Sequence, residues 1–403
     1  MRLLSSFEIT VWWHCWMYRE EDAQARMKDP GKERPTGMQN VVETSNTTGD
    51  IAIKRLMHLI SYSSNRRTLI GRVVAVSIGV VFLSAAGMVH AQQQPKFTLP
   101  APADAADAIR REFYKYDASL PLNAELKELN TTPFGTRFHL TYDSANDQRV
   151  TAIFSLPREF KGPHPAILLM HGSGGNKDVD YIQGAGGLLN KLGYATLSID
   201  SQYKGERARP GKSGELQPDS YTTRDAWTQT VIDLRRAVDY LESRPDIDKT
   251  KIGYFGVSMG GMLGSVLGGV EPRISCFFLA VPGGGIVNAV KHIERYPNLK
   301  SRFAIEITPD VMTRIESIAS VIDPVYFVGN ILPRPLMITV GIHDELIPAE
   351  MSTALIAAAH AQPENIKRVN AGHIPPPSVI AFDVRDFFVK NLGRRIPETA
   401  ARQ

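Results

Sequence analysis

Short apolar runs alternate with helix-like segments after Pro100, and this alternation constrains the fold more than any other feature. The runs at 166–170, 194–199 and 274–281 are continuous and uncharged, so both faces of each strand are expected to be buried. A helix-like segment at 181–192 separates the first two runs. Buried strands joined by helices form parallel sheets that are covered on both sides. We therefore predict an α/β fold with a mostly parallel central sheet and helices on both faces.

The remaining elements complete this series. Apolar and polar residues alternate at 134–142 and 149–156, which predicts an antiparallel strand pair ahead of the parallel strands. Further strands are predicted at 251–256, 335–341 and 366–370, and helices at 103–116, at 222–243, after Ser258, at 350–360 and at 378–391. The segment 286–330 breaks the rhythm, and we interpret it as a candidate lid over the edge of the sheet.

The segment 251–269, KIGYFGVSMGGMLGSVLGG, places a serine between two glycines where a strand becomes a helix. A serine that only caps a helix needs neither glycine, whereas a turn too tight for a Cβ atom needs both. Ser258 follows its strand directly, at the edge where parallel sheets bind ligands. The pattern Gly256-x-Ser258-x-Gly260 in this context is typical of a nucleophile elbow, so Ser258 is the predicted nucleophile.

A serine hydroxyl needs a base, and the base needs a group that orients it. His373 follows the last predicted strand and is the predicted base; a loop histidine without a catalytic role is the alternative. Asp344 follows the strand 335–341 and reaches the same edge, so it is the predicted acid. Glu345 competes for that role, and Asp344 is favoured because it lies closer to the end of its strand.

A glycine-rich loop, HGSGG at 171–175, follows the apolar run 166–170. Glycines let backbone N–H groups point into a site, where they stabilise a developing oxyanion. The N–H of Met259 is one predicted oxyanion donor and the N–H of Ser173 the other, with Gly174 as the alternative. The loop lacks the Lys-Ser/Thr ending of a phosphate-binding P-loop and the spacing of a dinucleotide-binding motif.

These parts resemble the α/β-hydrolase superfamily over about 130–392, with the closest likeness to its dienelactone-hydrolase-like and acetyl-xylan-esterase-like branches. The resemblance lies in LLMHGSGG, FGVSMGG, PRPLMITVGIHDELIP and AGHIPP, and in the order Ser258, Asp344, His373. It implies an α/β-hydrolase fold and hydrolysis of a small-molecule ester through an acyl-enzyme, with no metal and no organic cofactor. Dienelactone hydrolases proper use a cysteine nucleophile, so Ser258 argues against that activity.

The beginning of the chain has the pattern of an export signal. Arg66 and Arg67 precede an uncharged apolar run at 73–89, and small residues stand three and one positions before Gln92. This predicts a secretory signal peptide cleaved after Ala91, and hence a periplasmic or secreted protein. The arginine pair followed by Thr-Leu-Ile resembles a twin-arginine export signal. An uncleaved membrane anchor is the alternative.

These signals divide the chain into three parts. Because a signal peptide normally starts a chain, Met57 is the expected initiator and 57–91 the signal peptide. Residues 1–56 are then a doubtful leader, interpreted as a start-site artefact with no assigned function. The α/β-hydrolase domain is predicted over 92–403. No stable membrane association is expected once the signal is cleaved.

Charge and cysteine content exclude several functional classes. After Ala91 the chain has 35 basic and 34 acidic residues and no long basic run, so nucleic acid is not an expected partner. Cys15 lies before the cleavage site and Cys276 after it, so the mature protein has no internal disulfide. No cysteine–histidine pattern has the spacing of a zinc site.

Three functions compete at this point. An exported esterase comes first; a peptidase of the prolyl-oligopeptidase type comes second, although the sequence lacks the long all-β domain of such enzymes. A hydrolase-fold binding protein comes last, because such proteins usually lose a member of the triad. The polar loop 201–221 either borders the substrate pocket or is a solvated surface loop. Its candidate pocket residues are Tyr203, Glu206, Arg207 and Arg209.

Overall fold

The computed structural model describes residues 97–393, and within them a nine-stranded sheet organises the chain. The strands are β1 (Glu125–Thr131), β2 (Gly135–Asp143), β3 (Arg149–Pro157), β4 (His164–Met170), β5 (Ala195–Ile199), β6 (Ile247–Val257), β7 (Cys276–Ala280), β8 (Leu336–Gly341) and β9 (Ile366–Val369). The helices are α1 (Ala105–Glu112), α2 (Asp180–Lys191), α3 (Tyr221–Ser243), α4 (Met259–Val270), α5 (Ile286–Lys291), α6 (Pro297–Phe303), α7 (Pro309–Ile322), α8 (Ala349–Ala358) and α9 (Pro377–Leu392). The leader and signal peptide predicted for 1–91 lie outside the described residues.

Most of the sheet is parallel. The strand order is β1-β2-β3-β5-β4-β6-β7-β8-β9, and every pair from β5 to β9 in this order is parallel. β1, β2 and β3 form an antiparallel meander that joins β5 through β3. The mostly parallel α/β sheet predicted from the sequence is therefore confirmed.

Alternate side chains of the central strands enter two separate cores. In β4, Leu168 packs into the core that contains Trp227 of α3, while Ile167 packs into the opposite core with Phe388 of α9. All residues of β4 are buried, because successive side chains of a strand point to opposite faces and both faces are covered. The uninterrupted apolar run at 166–170 is the sequence signature of this double burial.

Strands are added to the sheet on both sides of β4, and this topology leaves room for a binding site. From β4 the chain passes through α2 to β5 on one side, and then through α3 to β6 on the other side. At such a switch point the loops that follow the two neighbouring strands part, and a crevice opens at their carboxyl ends. The loops that begin at His171 and at Ser258 flank this crevice.

The segment 286–330 contains α5, α6, α7 and short 3₁₀ turns. Ile315 and Ile318 of α7 are buried in the main core, so this half of the segment supports the domain itself. Helix α6 lies against loops at the carboxyl edge: Asn298 Nδ2 donates a hydrogen bond to the Glu345 carbonyl at 2.9 Å. A lid role for the segment remains a prediction. Within 97–393 no helix is both long and apolar enough to cross a membrane.

Strand β1 is absent from the sequence-based prediction. All of its residues, ELKELNT, are exposed, and it is held only along one edge by pairing with β2. A strand that buries neither face has no alternation of apolar and polar residues, and that alternation is the signal by which strands are predicted.

Candidate active site

Ser258 lies on a strained turn between β6 and α4. Its backbone has φ 55° and ψ −115°, a conformation that side-chain-bearing residues adopt rarely and at a cost in free energy. The Ser258 N–H donates a hydrogen bond to the carbonyl of Ala280, the last residue of β7, at 2.8 Å. The turn is therefore anchored to the neighbouring strand.

The two glycines of the elbow are required by backbone contacts. A Cβ atom at Gly260 would lie 2.3 Å from the carbonyl oxygen of Met170, at the end of β4. A Cβ at Gly256 would lie 2.3 Å from the Gly260 carbonyl oxygen. Neither oxygen belongs to a flexible side chain that could move aside. The glycines thus allow α4 to begin in direct contact with β4, which places Ser258 at the crevice.

The structure brings Ser258, His373 and Asp344 together. His373 Nδ1 lies 2.8 Å from Asp344 Oδ2, and His373 Nε2 lies 2.8 Å from Ser258 Oγ. A carboxylate only accepts hydrogen bonds, so Nδ1 carries the proton and Nε2 accepts from the serine hydroxyl. The His373 and Asp344 side chains are 12% and 6% exposed, so the row is largely shielded from water.

Asp344, and not Glu345, is the carboxylate that contacts His373. The second oxygen of Asp344 accepts hydrogen bonds from the N–H groups of Leu346 at 2.9 Å and Ile347 at 2.8 Å. These bonds fix the carboxylate in its loop while the other oxygen faces His373. The side chain of Glu345 is exposed, and among the described residues no contact joins it to His373.

Backbone contacts align the loops that carry the acid and the base. Ile342 N–H donates to the Val369 carbonyl at 2.9 Å, and His343 N–H donates to the Ala371 carbonyl at 3.0 Å. A Cβ at Gly341 would lie 2.2 Å from the carbonyl oxygen of Gly372, so the two chains touch there. These contacts continue the β8–β9 pairing beyond the sheet edge.

Two backbone N–H groups near Ser258 have no partner among the described residues. Met259 is the first residue of α4, where a helix N–H has no intrahelical acceptor and the helix dipole favours negative charge. In the HGSGG loop, the N–H groups of Gly172 and Gly174 donate to Tyr181 Oη at 2.7 Å and Glu215 Oε1 at 2.8 Å. The Ser173 N–H is not used in this way.

The HGSGG loop also lies directly beside the nucleophile. A Cβ atom at Gly172 would lie 3.3 Å from the Cβ of Ser258. The HGSGG loop, the predicted oxyanion loop, and the elbow are thus neighbours across the crevice. The combination of an activated hydroxyl, an oriented imidazole and free N–H donors can carry out acyl transfer to serine.

Comparison with known proteins identifies the family. Residues 102–364 match the acetyl xylan esterase family, AXE1. The chain belongs to this family. It is thus a carboxylic ester hydrolase of the serine type, and the resemblance to the acetyl-xylan-esterase-like branch of the α/β-hydrolases is confirmed.

Curated relatives and solved structures agree with this family. The chain is similar to "Putative hydrolase YtaP" of Bacillus subtilis, with 29% identity over 52% of this chain and 71% of that protein. An uncharacterized Mycobacterium tuberculosis protein is 28% identical over 55% of this chain and 66% of its own length.

Two solved structures have the same fold. The acetyl xylan esterase from Paenibacillus sp. R4 has a TM-score of 0.58 and 20% identity, and the match covers 74% of this chain and 99% of that one. Acetyl xylan esterase 1 from Thermoanaerobacterium sp. has a TM-score of 0.55 and 18% identity, with 73% and 96% covered.

In this family member, His171 supports the oxyanion loop from behind. Its Nε2 accepts a hydrogen bond from the Ser201 N–H at 3.3 Å, so the ring proton is on Nδ1, which donates to the Gly172 carbonyl at 2.8 Å. Burial lowers the pKa of His171, because the charged imidazolium would lose its hydration. The histidine is therefore neutral, and its place is structural.

The polar residues predicted in the loop 201–221 have different environments. Arg207 is buried and donates to Asp233 Oδ2 at 2.7 Å, so it supports the esterase fold and does not border a pocket. Glu206 pairs with Lys177 at 2.7 Å. Tyr203 is half-buried, and Arg209 is exposed.

Sequence reasoning missed Glu215, which contacts the oxyanion loop from this same segment. No local motif surrounds it, so nothing in the sequence indicates its partner. Within 97–393 no group of three or more histidine, cysteine, aspartate or glutamate side chains is arranged to hold a metal ion. Cys276 is a free, buried thiol on β7.

Proposed function

We propose that the protein is an exported serine esterase that acts on small-molecule esters through an acyl-enzyme on Ser258. One observation carries this proposal: the continuous hydrogen-bonded row from Asp344 through His373 to Ser258, with both contacts at 2.8 Å. Acetyl esters of carbohydrates are the first candidate substrates, because the family and two solved neighbours are named acetyl xylan esterases.

Acylation begins with proton transfer from Ser258 Oγ to His373 Nε2 as the oxygen attacks the acyl carbonyl. Asp344 keeps the Nδ1 proton in place and stabilises the imidazolium that forms. The N–H groups of Met259 and Ser173 donate to the oxyanion of the tetrahedral intermediate. His373 then protonates the departing alcohol oxygen, which leaves the acyl group on Ser258.

Deacylation repeats these steps with water. His373 takes a proton from a water molecule, which attacks the acyl-enzyme carbonyl. The same two N–H groups bind the second oxyanion. The carboxylic acid then leaves, and the proton returns from His373 to Ser258. No step requires a metal or an organic cofactor.

The catalytic part of the proposal is tested with 4-nitrophenyl esters of increasing acyl length and a fluorophosphonate probe. We expect hydrolysis that is fastest for the acetyl ester, with covalent labelling of the wild-type protein and none of Ser258→Ala. Cleavage of aminoacyl anilides without ester cleavage would favour a peptidase instead. A protein that neither hydrolyses esters nor reacts with the probe would be a binding protein.

Export is the second part of the proposal and rests on the sequence alone. The arginine pair at 66–67, the apolar run at 73–89 and the small residues before Gln92 support cleavage after Ala91. The protein should therefore be found outside the cytoplasm of the native host, and protein purified from that fraction should begin at Gln92. N-terminal sequencing that returns an intact leader would contradict this part and leave the catalytic part unaffected.

A further inference from the structure

Glu215 joins the loop 201–221 to the oxyanion loop. Its Oε1 accepts a hydrogen bond from the Gly174 N–H at 2.8 Å. The Ser173 side chain lies beside the same carboxylate and helps to lower its pKa. Gly174 of the HGSGG loop is thus bound by a side chain that is remote in sequence.

Two cations also contact the Glu215 carboxylate. Lys204 forms an ion pair with Oε1, and Arg302 of helix α6 lies 3.3 Å from Oε2. The Glu215 side chain is 28% exposed. Burial favours its neutral form, but the bonds from Lys204 and from Gly174 N–H outweigh this and hold the pKa of Glu215 below its usual value. The group is therefore a carboxylate, the form that accepts hydrogen bonds best.

The contacts of the HGSGG loop determine which N–H remains free. Gly172 N–H is bound to Tyr181 and Gly174 N–H to Glu215, so both neighbours of Ser173 are fixed. Gly174 has φ +76°, which lets the loop turn between these two bonds. The N–H between them, that of Ser173, is left for a substrate oxygen.

We infer that Glu215 is a positioning residue of this esterase: it binds Gly174 N–H and thereby aims the Ser173 N–H at the oxyanion. The inference rests on the proposed function, in which Ser173 supplies the second donor. Glu215 does not touch the reacting atoms. Its effect passes from the Ser173–Gly174 peptide unit to the adjacent Gly172–Ser173 unit. A donor helps only when it already points to the place where charge develops.

If Glu215 had only a structural role, its negative charge would matter more than the length of its side chain. That role would be to form the ion pairs with Lys204 and Arg302, which tie α6 to the loop 201–221. Two conservative substitutions separate the roles. Glu215→Gln keeps the length and an acceptor oxygen but loses the charge. Glu215→Asp keeps the charge but is one methylene shorter, so it no longer reaches Gly174.

The test measures kcat and KM for 4-nitrophenyl acetate and the affinity for phenylboronic acid, which binds serine hydrolases as a tetrahedral adduct. In Glu215→Asp we expect kcat to fall about 10- to 100-fold with KM nearly unchanged, since a misplaced oxyanion donor costs up to about 10²–10³ in rate. Boronic acid affinity should fall in parallel. Glu215→Gln should stay within about fivefold of wild type in each measurement.

A matched control comes from the exposed ion pair of Glu294 with Lys300, another residue of α6. Glu294→Gln and Glu294→Asp should leave every parameter unchanged. Equal losses in both Glu215 variants, or a near-normal Glu215→Asp, would overturn the inference while the proposed function stands. Hydrolysis that survives in Ser258→Ala would overturn the proposed function and this inference with it.

Discussion

The proposed nucleophile, Ser258, and its proposed base, His373, are held in place by different means. Ser258 lies between β6 and α4, every residue of α4 is buried, and Gly260 of the elbow lies against backbone atoms at the end of β4. His373 lies in a loop after β9, the last strand at the sheet edge, and the next residue, Ile374, is 78% exposed. One partner is fixed by dense packing and the other by a few hydrogen bonds.

This contrast shows two ways of specifying an active-site residue. The position of Ser258 is set by close steric contacts within a short segment, which leave few other conformations for the turn. The position of His373 follows from bonds to Asp344 and from the backbone contacts that join its loop to the loop after β8. We therefore expect the loop that carries His373 to be more mobile than the turn that carries Ser258.

The largest expected effect comes from removing either partner of the central hydrogen bond. Ser258→Ala and His373→Ala should each reduce kcat for 4-nitrophenyl acetate by roughly 10⁵–10⁶, and the double variant should lose little more. The reason is that the triad works as one unit, with residual rate left by the oxyanion donors and binding. Steady-state kinetics on all three variants measures this. Additive losses would show that the two residues act in separate steps.

A smaller loss of activity is expected when Asp344 is changed. This substitution tests how the His373 side of the site is ordered. Asp344→Asn should lower kcat by about 10⁴, because an amide stabilises the wrong tautomer of His373. Substrate binding and the melting temperature should change little.

Glu345→Gln is the matched control, since Glu345 follows Asp344 in the same turn but is exposed. Its kcat should stay within about twofold of wild type. A severe loss in Glu345→Gln with a near-normal Asp344→Asn would move the acid role to Glu345.

Hydrogen exchange sharpens the comparison without any substitution. The amides of Gly372, His373 and Ile374 donate no hydrogen bond to another described residue, whereas the β6 amides before Ser258 are paired within the central sheet. Exchange at 372–374 should be faster than in β6 by a factor on the order of 10³ or more. Mass spectrometry of peptic peptides provides the measurement. Equal protection in the two regions would remove the contrast.

The smallest expected effect is on the free energy of unfolding. The variants to compare are alanine substitutions at Gly260, on the Ser258 side of the site, and at Gly372, on the His373 side. Gly260→Ala should destabilise the protein by roughly 1–3 kcal/mol, because the new methyl group meets the Met170 carbonyl oxygen at 2.3 Å. In Gly372→Ala the nearest atom, the His343 carbonyl oxygen, lies at 3.7 Å, so the change should stay within about 0.5 kcal/mol. Urea denaturation compares them. Equal stability of the two variants would contradict the steric account of the elbow.

The parts of the molecule that could be predicted are those whose structure is determined by residues close together in the sequence. The elbow around Ser258 requires its glycines within five residues, and the central strands require unbroken apolar runs because both faces are covered. These patterns are visible in the sequence. Strand β1 has no such pattern, since its side chains are all exposed and only its backbone pairs.

The choices left open by the sequence depend on contacts between distant segments. Asp344 is distinguished from Glu345 by which carboxylate faces His373, and adjacent residues cannot be ranked on that basis before the loops are placed. The availability of Ser173 or Gly174 as a donor depends on Glu215, which lies 41 positions after Gly174. Such partners leave no periodicity and no motif, because they contribute single hydrogen bonds.

The hydrogen bond between Ser258 and His373 joins positions 115 residues apart, and from this separation we expect the two sides of the site to assemble in a fixed order. Contacts that close a long loop form only after its entropy has been lost, so the elbow can be in place before the base arrives. During refolding, fluorescence from the buried Trp227 should therefore recover before ester hydrolysis does. A nascent chain that has emerged only as far as β8 contains Ser258 but lacks His373 and the α9 side chains of the second core, so we expect it not to turn over substrate.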